Sequence, residues 1–145
     1  MTITLAVTEV SKASFITILI KNQADLSHEM LQPYQKILSQ KLEDKDNGIT
    51  IFYEADRIIA VVALKVNTHI ETGIVHEEAR VRGGNICKRI NYEKSAHAVV
   101  VRGSDSVSKG ELLAFTEGIA LANYQFLKYK SDKKQNALTN VALMD

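Results

Sequence analysis

The side chains able to do chemistry in this 145-residue chain are few and scattered. Its four histidines, His28, His69, His76 and His97, lie far apart. A zinc site of the H-E-x-x-H kind needs two imidazoles one helical turn apart. His76-Glu77-Glu78 begins that pattern but lacks the second histidine. With Glu71 these residues can attract a divalent ion, yet carboxylates at a helix start are already accounted for by the helix dipole. His76 therefore reads as solvated helix surface, and no metal is assigned. The only cysteine, Cys87, stands between Ile86 and Ile90. A nucleophilic thiol needs a base and an electropositive setting, so Cys87 reads as a core thiol without a disulfide partner. Neither G-x-G-x-x-G nor G-x-x-x-x-G-K-[ST] occurs. One loop keeps a ligand option open. Arg102-Gly103-Ser104-Asp105-Ser106 joins a strand to a helix start, where free N–H groups can hold an anion. Gly103, Ser104, Ser106 and Ser108 are the candidate ligand-binding residues, although such loops are common in α/β domains and an empty loop is the default. Lys128, Lys130, Lys133 and Lys134 read as a solvated cap on a helix's negative end rather than a nucleic-acid contact.

The elements that must position these residues follow from periodicity. Ile3 to Val10 alternates and Phe15 to Ile20 is a β-branched apolar run, which predicts two strands. Pro33 suits a first helical position, with Tyr34, Ile37, Leu38 and Leu42 on one face and the polar stretch Glu43 to Gly48 ending the helix. Ile49 to Tyr53 and Arg57 to Lys65 read as strands joined by a short turn, the second covered on both faces. A helix over Thr72 to Ile90 places Ala79, Gly83, Ile86 or Cys87, and Ile90 on one stripe. Gly83 and Gly84 each cost that helix about 1 kcal/mol, so the pair either permits close contact with the sheet or breaks the helix. Ala96 to Val101 is a buried strand. Ser108 and Glu111 have capping-box spacing, and Leu112, Phe115, Ile119, Ala122 and Phe126 line a helix running to Tyr129. Leu138 to Met144 closes the chain as a strand. The order β-β-α-β-β-α-β-α-β predicts a three-layer α/β domain, a mixed central sheet flanked by helices.

Composition sets the outer bounds. A mass of 16.1 kDa is that of one ordinary domain. Eighteen basic against seventeen acidic residues leave a net charge of +1, which gives no electrostatic case for a nucleic-acid or membrane partner. The longest apolar run, Ile58 to Leu64, is far too short to cross a bilayer. The start, MTITLAVTEVSK, lacks a basic n-region, and a cytoplasmic protein is expected.

The stretch Glu117 to Ser131 resembles the end of the N-terminal domain in the leucyl aminopeptidase (cytosol aminopeptidase) family, whose pattern is approximately E-G-x-x-L-G-x-Y-x-F-x-x-Y-K-S. The matches are Glu117, Gly118, Leu121, Tyr124, Phe126, Tyr129, Lys130 and Ser131, with Ala122 in place of the usual glycine. Upstream, Glu78-Ala79-Arg80 and Gly83 on a helix before the strand Ala96 to Val101 fit the same layout. The motif is one of packing: Leu121 and Phe126 are expected on the core face, and Tyr124 and Tyr129 at the domain edge with a hydroxyl for a polar partner. The resemblance implies a macro-domain-like fold and an N-terminal accessory domain spanning residues 1–145. It implies a two-domain, hexameric parent that removes N-terminal residues from peptides with two divalent metals, zinc or manganese. The metal ligands of such enzymes, including the N-T-D-A-E-G-R signature, belong to a C-terminal catalytic domain, and none occurs here. No catalytic, metal or cofactor residue is carried over, and this chain alone is expected to be inactive. Asp145 falls where the family passes into its linker, so the chain is expected to be the front domain of a larger enzyme, with the catalytic domain as its partner. The competing expectations are a stand-alone macro-like module binding a nucleotide or ADP-ribose at the Gly103 loop, and an interaction protein.

Overall fold

The computed structural model describes residues 2–5, 14–22, 26, 28–43, 48–64, 72–103, 105–129, 138 and 140–144. Among the described residues there are six strands: β1 Thr2–Leu5, β2 Phe15–Ile20, β3 Ile49–Tyr53, β4 Ile58–Ala63, β5 His97–Arg102 and β6 Asn140–Met144. Three described α-helices alternate with them: α1 Gln35–Glu43, α2 Thr72–Tyr92 and α3 Lys109–Tyr129. The expected order of elements is the order observed, with a 3-10 turn, Glu29–Tyr34, added before α1.

The sheet runs β1-β6-β5-β2-β4-β3. All neighbours are parallel except β3 and β4, whose register pairs Ile51 with Ala60. β2 is central, and its FITILI sequence is buried along its whole length because both faces are covered. Alternation along a strand divides the core in two. Phe15 and Leu19 join Ala60, Val62, Val100, Phe115 and Ile119 under α2 and α3. Ile16, Ile18 and Ile20 join Leu31, Leu38, Val61 and Val99 under the 3-10 turn and α1. Three layers result, as the pattern of alternating strands and amphipathic helices requires.

Three expectations are corrected. Pro33 lies inside the 3-10 turn rather than opening α1, and the turn's N-cap is His28, whose Nδ1 accepts the Met30 N–H at 3.2 Å. Ile37 is exposed, while Leu38 alone of that pair reaches the core. The Gly83-Gly84 pair neither breaks α2 nor meets the sheet. It lets α2 and α3 touch: a Cβ on Gly83 would stand 2.0 Å from the Phe115 carbonyl oxygen, and one on Gly118 would stand 2.1 Å from that of Arg80. The first-strand expectation beyond Leu5, together with Lys65, His69, Glu71, Lys133 and Lys134, lies outside the described residues.

Candidate functional site

In an open α/β sheet, adjacent parallel strands whose following helices go to opposite faces leave a crevice beyond their carboxyl ends. β2 leads to α1 on one face and β5 leads to α3 on the other, so the crevice lies between Lys21 and the 102–108 loop. Of the loop residues expected to bind a ligand, Gly103, Ser106 and Ser108 lie on the segment that borders this crevice. Gly103 closes onto β2, donating its N–H to the Leu19 carbonyl at 2.7 Å. A Cβ on Gly103 would stand 2.7 Å from that same oxygen and 2.9 Å from Ile20 Cγ2, so only glycine fits this approach. Arg102 donates from Nη1 to the Val107 carbonyl at 2.9 Å and its Nη2 stands 3.6 Å from Asp105, bracing the loop from within. Ser106 is exposed, and Ser104 lies outside the described residues.

Ser108 and Glu111 form the capping box their spacing predicts. The Glu111 N–H donates to Ser108 Oγ at 3.1 Å, and the Ser108 N–H donates to Glu111 Oε1 at 3.1 Å. Glu111 has a second partner that spacing could not show. Lys21 Nζ, at the end of β2, donates to the same Oε1 at 2.7 Å. Glu111 is 4% exposed. It therefore sits at the positive end of α3, hydrogen-bonded and charge-paired. His76 is half-buried beside this cap: a Cβ on Gly110 would stand 2.8 Å from its Nε2.

A second polar cluster escaped sequence reasoning. Asn91 on α2 donates from Nδ2 to Asn123 Oδ1 on α3 at 3.0 Å, and its Oδ1 accepts the Leu138 N–H at 2.9 Å. Asn123 Nδ2 donates to the Leu138 carbonyl at 3.3 Å. The two side-chain amides thus tie both helices to the segment entering β6. An asparagine amid the apolar residues of α3 was the signal available. Cys87 lies against this clasp, its Sγ 3.9 Å from Asn123 Oδ1. It is buried as expected, and burial pushes the thiol up to about 11 despite the Asn91 hydrogen bond. Such a thiol is not a nucleophile near neutral pH.

The motif residues divide. Gly118 is buried at the α2–α3 crossing, and Ala122 lies there too, 3.7 Å from where a Gly84 Cβ would stand. Glu117 pairs with Arg80 at 3.2 Å, and Arg80 also holds Glu77 at 3.3 Å. Leu121 is not on the core face: it is 55% exposed, and Tyr124 is 64% exposed. The core expectation for Leu121 fails because α3 turns that position away from both the sheet and α2. The side chains of Phe126, Lys128 and Tyr129, and residues Lys130 and Ser131, lie outside the described set. Among the described residues, no three His, Cys, Asp or Glu side chains gather to hold a metal ion. No described helix is long and apolar enough to cross a membrane.

This architecture is that of known proteins. The chain is similar in structure to a mutant leucine aminopeptidase of tomato, with a TM-score of 0.65 and 14% identity over 99% of this chain and 32% of that one. It is likewise similar to the macrodomain of Mycobacterium tuberculosis DarG, at TM-score 0.61 and 9% identity over 99% of this chain and 98% of that one. For the Thermus aquaticus DarG macrodomain the values are 0.60 and 9%, over 99% and 96%. These likenesses establish an α/β, macrodomain-like fold. The chain spans about a third of the tomato enzyme's length, 32%. No protein-family model and no curated protein sequence matches it.

Proposed function

We propose that the chain acts as a non-catalytic N-terminal domain of a leucyl aminopeptidase-type exopeptidase, supporting assembly and bordering access to an active site on a separate catalytic domain. The observation on which this reading rests is the Lys21–Glu111 ion pair, which joins the end of β2 to the start of α3 at 2.7 Å with the chain's own charges. A ligand's phosphate would have to displace a buried carboxylate already satisfied by a lysine and a backbone N–H. The motif Glu117-Gly118 adds support, since Gly118 is required where α2 and α3 touch. In this reading the two divalent metals, zinc or manganese, belong to the catalytic domain, and the hexamer is a property of the intact enzyme.

A second reading, a macro-like module for an ADP-ribose-type ligand, is favoured by one feature. Gly103 brings its backbone hard against β2 beside a helix start, and Gly103, Ser106 and Ser108 would line the entry. Titration calorimetry with ADP-ribose separates the two. The accessory-domain reading expects no saturable heat up to millimolar ligand, and no metal-dependent hydrolysis of leucine amide by the pure chain. Saturable binding that Gly103→Val abolishes would overturn it in favour of the module, and hydrolysis would overturn the non-catalytic assignment.

A further inference from the structure

Away from the crevice, most charged clusters satisfy themselves. Tyr34 and Arg57 both bond Glu54, and Tyr53 lies between Arg89 and Glu93. The outer face of the α2–α3 layer is different. It exposes large apolar side chains, Val81, Leu113, Leu121 and Tyr124, together with Tyr92 at 75% exposure. These alternate with charges in an order that is complementary to itself.

We propose that this face is a two-fold interface on which a second copy of the chain docks, with α2 antiparallel to α2 and α3 antiparallel to α3. The inference rests on the pattern of the face and is independent of the enzyme-domain reading. α2 and α3 run parallel and touch where Gly83 meets Phe115 and Ile119 and where Gly118 meets Arg80. A two-fold axis laid across both helices at this crossing reverses each helix about its own midpoint. Glu77 and Lys88 are both exposed and stand about three turns apart on α2, symmetrically about the crossing. The operation therefore places Glu77 of each copy opposite Lys88 of the other. Leu113 and Tyr124, equally spaced on α3, are brought together by the same axis. Gly73, exposed and with nothing within 4 Å of a Cβ built on it, falls opposite the exposed Tyr92 ring. Val81 and Leu121 lie near the axis, in the centre of the contact.

The charges agree with this arrangement. Glu77 lies toward one end of the face, 3.3 Å from Arg80, which also holds Glu117 near the centre. At the other end Arg89 is paired with Glu93, and Lys88 has no ion-pair partner among the described residues. Glu117 falls opposite Ala120 of the second copy rather than a like charge. Isologous contacts demand this kind of self-complementarity. Parallel packing of the same faces would set Glu77 near Leu113 and leave Lys88 unpaired. Two helices of 21 residues are about 31 Å long and lie about 8–10 Å apart, a face of about 500–600 Å² per copy. The pair would bury about 1,000–1,200 Å², the lower edge of specific interfaces.

Sedimentation equilibrium on the full chain, from about 1 to 500 µM and at low and high salt, tests the proposal. The expected result is a monomer–dimer equilibrium weakened at least about tenfold by Glu77→Lys or by Lys88→Glu, because each change sets like charges together twice per dimer. The double variant E77K/K88E should return to within about threefold of the wild-type dissociation constant, since the swap re-creates both pairs. Both substitutions are on exposed helix positions, and circular dichroism checks that the fold is kept. A chain that stays monomeric throughout, a dimer indifferent to the single changes, or a double variant no tighter than the singles would overturn the proposal.

Discussion

Replacing Gly83 by alanine and, separately, its neighbour Gly84 tests how closely α2 and α3 approach. On an unobstructed helix either change should stabilise by about 1 kcal/mol, because alanine surrenders less backbone entropy than glycine. The surroundings differ sharply. A Cβ at Gly84 would meet Ala122 Cβ at 3.7 Å and the Gly118 carbonyl oxygen at 3.9 Å, which is ordinary contact. At Gly83 the neighbours are backbone atoms, Phe115 O at 2.0 Å, Phe115 C at 3.0 Å and Ile119 N at 3.2 Å, and none can rotate away. Relief requires the helices to part by more than about 1 Å over the core that Phe115 and Ile119 share with the sheet, an overpacking cost of about 3 kcal/mol. Gly83→Ala should therefore lose about 2 kcal/mol net while Gly84→Ala gains about 1. At about 3–4 °C per kcal/mol for a chain of this size, the two melting points should differ by about 10 °C. Urea unfolding followed by circular dichroism reads both, with unchanged m-values as the check that the denatured state is comparable. Equal stabilisation by the two changes would show that the helices do not touch at Gly83 and would remove the physical account of Gly118 as well.

Asn123→Leu should cost about 2–3 kcal/mol, since it strands the Leu138 carbonyl and removes the acceptor of Asn91; a neutral result in the same unfolding assay would mean the clasp carries no energy. Cys87 should be labelled by a thiol reagent at pH 8 at least about 100-fold more slowly in the native chain than in urea, both because it is buried and because its thiol is pushed up to about 11. The same shift has a sign: the folded state holds the proton that the unfolded state releases above about pH 9, so this contribution is complete below pH 9 and is lost as pH rises toward 11, which Cys87→Ala should abolish. Thr17→Val should stabilise the chain by about 1 kcal/mol, because the buried Thr17 hydroxyl has no partner among the described residues and valine keeps its shape; destabilisation would reveal a bond to that hydroxyl.

Local rules make much of this protein legible in its sequence. Strand β2 was readable because six consecutive apolar or β-branched residues can only be covered on both faces, and α3 because Ser108 and Glu111 satisfy N–H groups that any helix start leaves open. Cys87 was legible as core from its apolar neighbours. Interactions between elements were not. The Gly83-Gly84 pair showed that something comes close, but one sequence cannot tell a sheet from a helix, and the partner proved to be α3. Leu121 looked like core because its type and motif suggested it, whereas the face a helix buries depends on where its neighbour lies, and α2 stands on the other side. Lys21 meets Glu111 across 90 residues, and Asn91 meets Leu138 across 47, distances over which spacing carries no information. Sequence determined which elements form and in what order, because backbone hydrogen bonding and apolar periodicity act within one turn or one strand. Tertiary structure alone decided that Lys21 pairs with Glu111 beyond the ends of β2 and β5, because that depends on two charges brought together only when the sheet is assembled.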